Sequence, residues 1–68
     1  MTLRRIVARN LKRLRKERGL TQEELADLAQ LNRNYVGMIE RRENAATLDT
    51  LEALAKALQI QAVELLAP

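Results

Sequence analysis

The stretch Leu20-Thr21-Gln22-Glu23-Glu24-Leu25-Ala26-Asp27-Leu28-Ala29 decides the fold of this 68-residue chain. Thr21 followed three residues later by Glu24 is a capping box: the Thr21 hydroxyl can accept from the Glu24 amide while the Glu24 carboxylate reaches back to the Thr21 amide. Leu20 and Leu25 flank the box as a hydrophobic staple. The spacing predicts a short second helix from about Gln22 to Ala29, ending near Gln30, with Leu25, Ala26, Leu28 and Ala29 turned inward. Just before it, Gly19 supplies a left-handed stop to the preceding helix, and Leu20 can fold back onto that helix's last turn.

Toward the N-terminus, Leu3, Ile6, Val7, Leu11 and Leu14 recur at intervals of three and four, which lays one apolar stripe along a first helix between Thr2 and Arg18. Toward the C-terminus, Asn32 can cap a third helix reaching about Arg41, with Val36 and Ile39 facing the core and Arg33, Asn34, Tyr35 and Met38 on other faces. Only two or three residues separate it from the second helix. A polar stretch from Arg41 to Ala46 follows. Thr47 then caps a fourth helix carrying Leu48, Leu51, Leu54, Ala55 and Leu58, and Gln61 to Leu66 forms a short fifth. No strand-like alternation, repeat or linker interrupts the pattern, and the sole proline is Pro68. The expectation is an all-α domain of five helices spanning residues 1–68.

Apolar residues make up 47% of the chain and charged ones 31%, which excludes a disordered polar tail. A chain this short buries only about 60% of the surface its unfolded form exposes, so stability is thin unless a second copy contributes. Ile60, Val63, Leu65 and Leu66 offer more apolar surface than a short last helix can hide, and they are the expected homodimer interface. Cys, His, Ser, Trp and Phe are all absent. Disulfides, Cys/His metal sites, Ser or Cys nucleophiles and imidazole bases are therefore excluded within one chain. A carboxylate metal site or a nucleophile among Lys12, Lys16 and Lys56 stays formally open, but the acids fall mostly on helix faces and caps. The expectation is a non-enzyme without metal, cofactor or small-molecule ligand.

Charge is distributed unevenly. Residues 1–18 carry eight bases against Glu17, a balance of +7, while residues 19–68 balance to −4, and together they give the net +3. A basic first helix on a mildly acidic body points to a polyanion, either nucleic acid or an anionic membrane surface, against the plain alternative of solvated helix charge. No apolar run is long enough to span a membrane and no secretory leader pattern opens the chain, so a cytoplasmic protein is expected.

The run Leu20 to Ala29, followed by Val36, by Ile39-Glu40-Arg41 and by Thr47-Leu48-Asp49-Thr50-Leu51, resembles the Cro and phage-repressor type of helix-turn-helix domain, the XRE family, from about Leu11 to Leu66. The stretch Leu31 to Val36 with Ile39-Glu40-Arg41 looks especially like the controller proteins of restriction-modification systems. The resemblance implies a compact lambda-repressor-like fold and a bacterial or phage-encoded transcriptional regulator that binds double-stranded DNA as a dimer on a palindromic operator. It also implies that Ala26 is small because the second and third helices cross steeply there. Arg15 and Glu40 match the Arg and Glu that bridge the first and third helices in the family. Glycine commonly stands in the family where this chain has Gln30, Arg42 and Gln59, and a hydroxyl cap where it has Gln61. Three helix ends then carry non-glycine residues at positive φ, at about 1 kcal/mol each, or the turns differ in shape.

On that reading the third helix lies in the major groove, where each base pair shows its own donor and acceptor pattern, and the second bridges the backbone. Arg33 has a fork that matches guanine O6 and N7, with a plain phosphate contact as the alternative. Asn34 suits adenine, Met38 a thymine methyl, and Asn32 either a base or the helix cap. Thr21 and Gln22 open the second helix beside the phosphates, assisted by free amides and the dipole, or Gln22 is surface filler. The Tyr35 hydroxyl reaches a phosphate or its ring packs half-buried. Arg41, Arg42 and Asn44 follow the reading helix as backbone contacts. Two rivals remain: a protein-interaction module, such as an antitoxin or accessory domain that keeps the fold, and a membrane-surface protein using the basic first helix.

Overall fold

The computed structural model describes residues 2–68. Its elements are α1 (Leu3–Glu17), α2 (Gln22–Leu28), α3 (Tyr35–Glu40), α4 (Leu48–Leu58) and α5 (Val63–Leu66), with no strand among the described residues. The Thr2 hydroxyl accepts from the Arg5 amide to start α1, and Ile6, Val7, Leu11 and Leu14 are buried along its stripe. Both halves of the capping box are present at α2, with Thr21 N to Glu24 Oε1 at 2.8 Å and Glu24 N to Thr21 Oγ1 at 3.0 Å. Leu25 and Ala26 are fully buried, and α3 and α4 both pack on this helix. Leu28, expected to face inward, is exposed instead, while Leu25, Ala26 and the half-buried Ala29 make the inward face of this short helix.

The third helix starts later than its apolar spacing suggests. Asn32 Oδ1 accepts from the Asn34 amide at 2.9 Å and Asn32 O from the Tyr35 amide at 2.9 Å, so Asn32 is consumed by a local turn. The N-cap position falls to Asn34, whose side chain caps nothing. Helix α4 runs as expected from the Thr47 cap, with Leu51, Leu54, Ala55 and Leu58 buried, but Leu48 is 82% exposed. Leu48 sits in the first turn, at the rim of an apolar groove whose other rim is the equally outlying Leu3.

Helix α5 is a single turn that begins two residues beyond Gln61, whose amide donates to Glu64 Oε2 at 3.0 Å. Leu65 corrects the sequence reading: it is 0% exposed and belongs to the core, so it cannot form a dimer surface. Ile60 and Leu66 are half-buried, and Val63 is exposed. What holds the turn is Asn10, a polar residue inside the apolar stripe of α1. Its buried Nδ2 donates to Leu65 O at 3.0 Å and Ala67 O at 2.7 Å, carbonyls that the end of a helix leaves without internal partners.

Four helix ends close with one geometry. After α1, the Gly19 amide donates to Lys16 O and the Leu20 amide to Arg15 O. The same pair of bonds recurs at Gln30 and Leu31, at Arg42 and Glu43, and at Gln59 and Ile60, which is the Schellman pattern in each case. Gly19 takes φ +68°, and Gln30, Arg42 and Gln59 take φ 58°, 62° and 59°. The turns keep the shape a glycine would give, and each non-glycine residue costs about 1 kcal/mol of backbone strain.

Candidate nucleic-acid interface

The α2–α3 junction is built around one carboxylate. Glu40 Oε2 accepts from Arg15 Nε at 2.7 Å, and Oε1 accepts from Arg15 Nη2 at 3.0 Å and from Gln22 Nε2 at 3.0 Å. Arg15 Nη1 donates in turn to Leu20 O at 2.8 Å. The two charged side chains are 9% and 3% exposed, so this is a buried fork pair with its remaining hydrogen bonds made. One residue at the end of α3 thereby fixes α1, the α1–α2 turn and the first residue of α2. One N–H of the Gln22 amide, the group the sequence reading offered to a phosphate, is given to Glu40, and the second N–H of that NH2 group is the donor that a phosphate contact would use.

Gly37, which sequence reasoning passed over, lets the ends of the Gln22 and Arg41 side chains approach the α3 backbone. A Cβ built there would stand 2.9 Å from Gln22 Oε1 and 2.9 Å from Arg41 Nη1. The available signal was a glycine in the middle of an amphipathic helix. Around it lies an open polar cleft of about 290 Å³ lined by Thr21, Gln22, Glu23, Arg33, Asn34, Gly37 and Arg41. Arg33, Asn32 and Asn34 stand on the turn that leads into α3 rather than on the helix itself.

Arg33 is exposed and forks onto one oxygen of Glu23, with Nη2 at 2.6 Å and Nε at 3.2 Å. That hydrogen bond, with the charge of Glu23 behind it, raises the Arg33 pKa. Glu23 is a second residue that sequence reasoning missed: it lies ten positions away and is the ion-pair partner of the candidate base reader. Arg41 pairs in the same way with Glu43, Nε to Oε2 at 2.8 Å and Nη2 to Oε1 at 3.3 Å, and the hydrogen bond from Arg41 holds the Glu43 carboxyl below its ordinary range. Met38 is half-buried on α3, and the half-buried Tyr35 packs against the core. The Thr21 hydroxyl is occupied by the Glu24 amide.

The other two loop residues lie apart from this cleft. Arg42 lines a second one, on the α1 side of Glu40. Asn44 borders the apolar groove that contains Leu3, Leu48 and Leu66. Among the described residues no cluster of three carboxylate, His or Cys side chains could hold a metal ion. Among the described residues no helix is long and apolar enough to cross a membrane.

Two short helices packed together, the first carrying a buried alanine, with a polar cleft at their junction and Arg and Asn side chains presented on the lead-in turn, define a helix-turn-helix DNA-binding module. Residues 11–65 match the family model HTH_3, helix-turn-helix. The chain is 42% identical over 66 residues to the control protein C.SmaI of Serratia marcescens, covering 97% of this chain and 79% of that one. Its structure is similar to that of the hypothetical transcription factor NHTF from Neisseria, with a TM-score of 0.96 at 39% identity over 98% of this chain and 77% of the other. The restriction-modification controller C.AhdI from Aeromonas hydrophila gives a TM-score of 0.87 at 40% identity, over 91% and 94% of the two chains. The chain belongs to this helix-turn-helix family, and it is a DNA-binding transcriptional regulator rather than an enzyme.

Proposed function

We propose that the turn 32–34 and α3 enter the major groove of a palindromic operator, bound by a symmetric dimer. The observation that carries this is the cleft itself: the junction presents Arg33 and Asn34 outward while Glu40, Arg15 and Gln22 make its floor rigid from behind. Arg33, with Asn32, Asn34 and Met38, is assigned to base edges, and Thr21, Gln22, Tyr35, Arg41, Arg42 and Asn44 to the backbone. Arg33 must leave Glu23 to reach a guanine. The pair is open to solvent on both sides, so water already competes with it and the exchange is cheap. Glu23 then acts as a holder that keeps the fork extended until DNA replaces it.

Size is compatible with the pairing: the protomer measures 28 × 23 × 21 Å, and two copies side by side can set their reading ends about 34 Å apart, one turn of DNA. With Leu65 in the core, the pairing surface reduces to Val63 with the half-buried Ile60 and Leu66. Sedimentation that shows only monomer at high micromolar concentration, with and without duplex, refutes the pairing.

The reading is tested by selecting bound sequences from a random duplex pool and then measuring Arg33→Ala. Affinity should fall roughly five- to 150-fold per half-site, the range of one lost bidentate base contact, so the two losses multiply on the full palindrome, and discrimination should flatten at one position per half-site. Equal losses on every sequence would make Arg33 a phosphate anchor instead.

A further inference from the structure

The second cleft, about 300 Å³, lies between α1 and the end of α3 and is lined by Arg5, Ala8, Arg9, Lys12, Glu40 and Arg42. Three of its cations stand at positions 5, 9 and 12, the spacing that puts side chains on one helix face. Ala8, small and buried, lies among them, so the long side chains stand over a shallow floor. Arg42 faces them from the opposite wall. The one acid of the lining is Glu40, and its carboxylate is already committed to Arg15 and Gln22. Arg5, Lys12 and Arg42 therefore share, beside Arg9, a groove whose one lining acid is already paired from behind.

Arg42 holds a left-handed turn at φ 62°, a conformation it shares with Gln30 and Gln59, and of the three it is the one that lines this groove. Neighbouring Arg41 points the other way, into the cleft with Gln22 and Gly37, so the two arginines place cations on both sides of Glu40.

We propose that Arg5, Arg9, Lys12 and Arg42 form a phosphate-binding strip that takes the sugar-phosphate backbone of duplex DNA flanking the bases read by the α3 end of the molecule. The proposal rests on the DNA-binding reading above and extends it from the α2–α3 junction onto the outer face of α1. The strip carries no sequence information, because phosphates are the same at every step; it sets how far contact extends and how steeply binding depends on salt.

The test compares the wild-type chain with Arg5→Gln/Lys12→Gln, both exposed positions, on a duplex trimmed to the selected site and on one extended by flanking DNA. On the extended duplex the double variant should lower the salt slope by about 1.8 per protomer, two contacts at about 0.9 each. On the trimmed duplex the two proteins should bind alike, the preference for the selected site over random DNA should be unchanged, and Arg5→Lys/Lys12→Arg should restore the wild-type slope. Matching thermal melts for all variants separate this from a loss of fold. An unchanged slope on extended DNA, or a fall that the charge-retaining pair fails to rescue, overturns the strip. Failure of the sequence-reading assignment shows differently: Arg33→Ala leaves discrimination intact while the slope still responds to Arg5 and Lys12.

Discussion

Removing Glu40 tests the architecture of the interface most directly. Glu40→Ala deletes the acceptor of three hydrogen bonds, two from Arg15 and one from Gln22, and leaves a guanidinium whose side chain is 9% exposed with Leu20 O as its remaining partner. Stranding one member of a buried pair costs about 3–5 kcal/mol. A domain of this length has a total stability of about 3–10 kcal/mol at the usual per-residue range, so the loss takes a large share of it and should move the urea midpoint far down. Replacing both partners with apolar residues, as in Arg15→Met/Glu40→Leu, removes the stranded charge as well and should come within about 1 kcal/mol of wild type. The two single substitutions should therefore sum to far more than the double, an interaction energy that a double-mutant cycle in urea, followed by far-UV circular dichroism, reads directly. Additive singles, or a Glu40→Ala variant within 1 kcal/mol of wild type, would refute the view that this carboxylate ties three elements together.

Three further outcomes are expected. Gln30→Gly should raise stability by about 1 kcal/mol, because φ 58° carries no Cβ clash for glycine, with a partial offset from the freer unfolded chain; a measured loss in the same urea assay contradicts the left-handed turn. Asn10→Ala should cost about 1–3 kcal/mol by leaving the Leu65 and Ala67 carbonyls without their donor, and hydrogen exchange should show residues 61–67 losing protection before the rest of the domain. Glu43 has a folded pKa below its unfolded one, so its small stabilising contribution is present above the ordinary carboxylate range and disappears as pH falls through the lowered value; Arg41→Gln should return the Glu43 titration, followed by NMR, to the ordinary range.

Local signals were legible and distant ones were not. The Thr21–Glu24 box, the Gly19 stop and the stripes of α1 and α4 depend on residues within one or two turns, and spacing alone reveals them. The strained turns at Gln30, Arg42 and Gln59 came from comparing family glycines with this chain, since nothing local marks a glutamine for positive φ. Asn10 carries no local signal of its role, because its partners lie more than 50 residues away. Leu65 and Leu66 could not be told apart, because a one-turn helix has no periodicity from which to assign a face. The start of α3 was misjudged because Asn32 serves an Asx-type turn as readily as a helix cap, and only the backbone path decides. Arg33 was singled out as a free fork; its Glu23 partner depends on how α2 crosses the lead-in to α3.

The Asn10 clamp also bears on the order in which the chain assembles. Most of this helical domain is made of contacts close in sequence, which form quickly, whereas Asn10 meets its carbonyls only after a loop of nearly the whole chain has closed. A single turn such as α5 has no helical stability of its own to precede that closure. Docking of residues 61–67 onto α1 therefore belongs after the folding barrier, and weakening the clamp should accelerate unfolding while leaving the refolding rate almost untouched. In this chain Asn10 acts as a latch on lifetime, setting how long a folded molecule lasts more than how fast one forms.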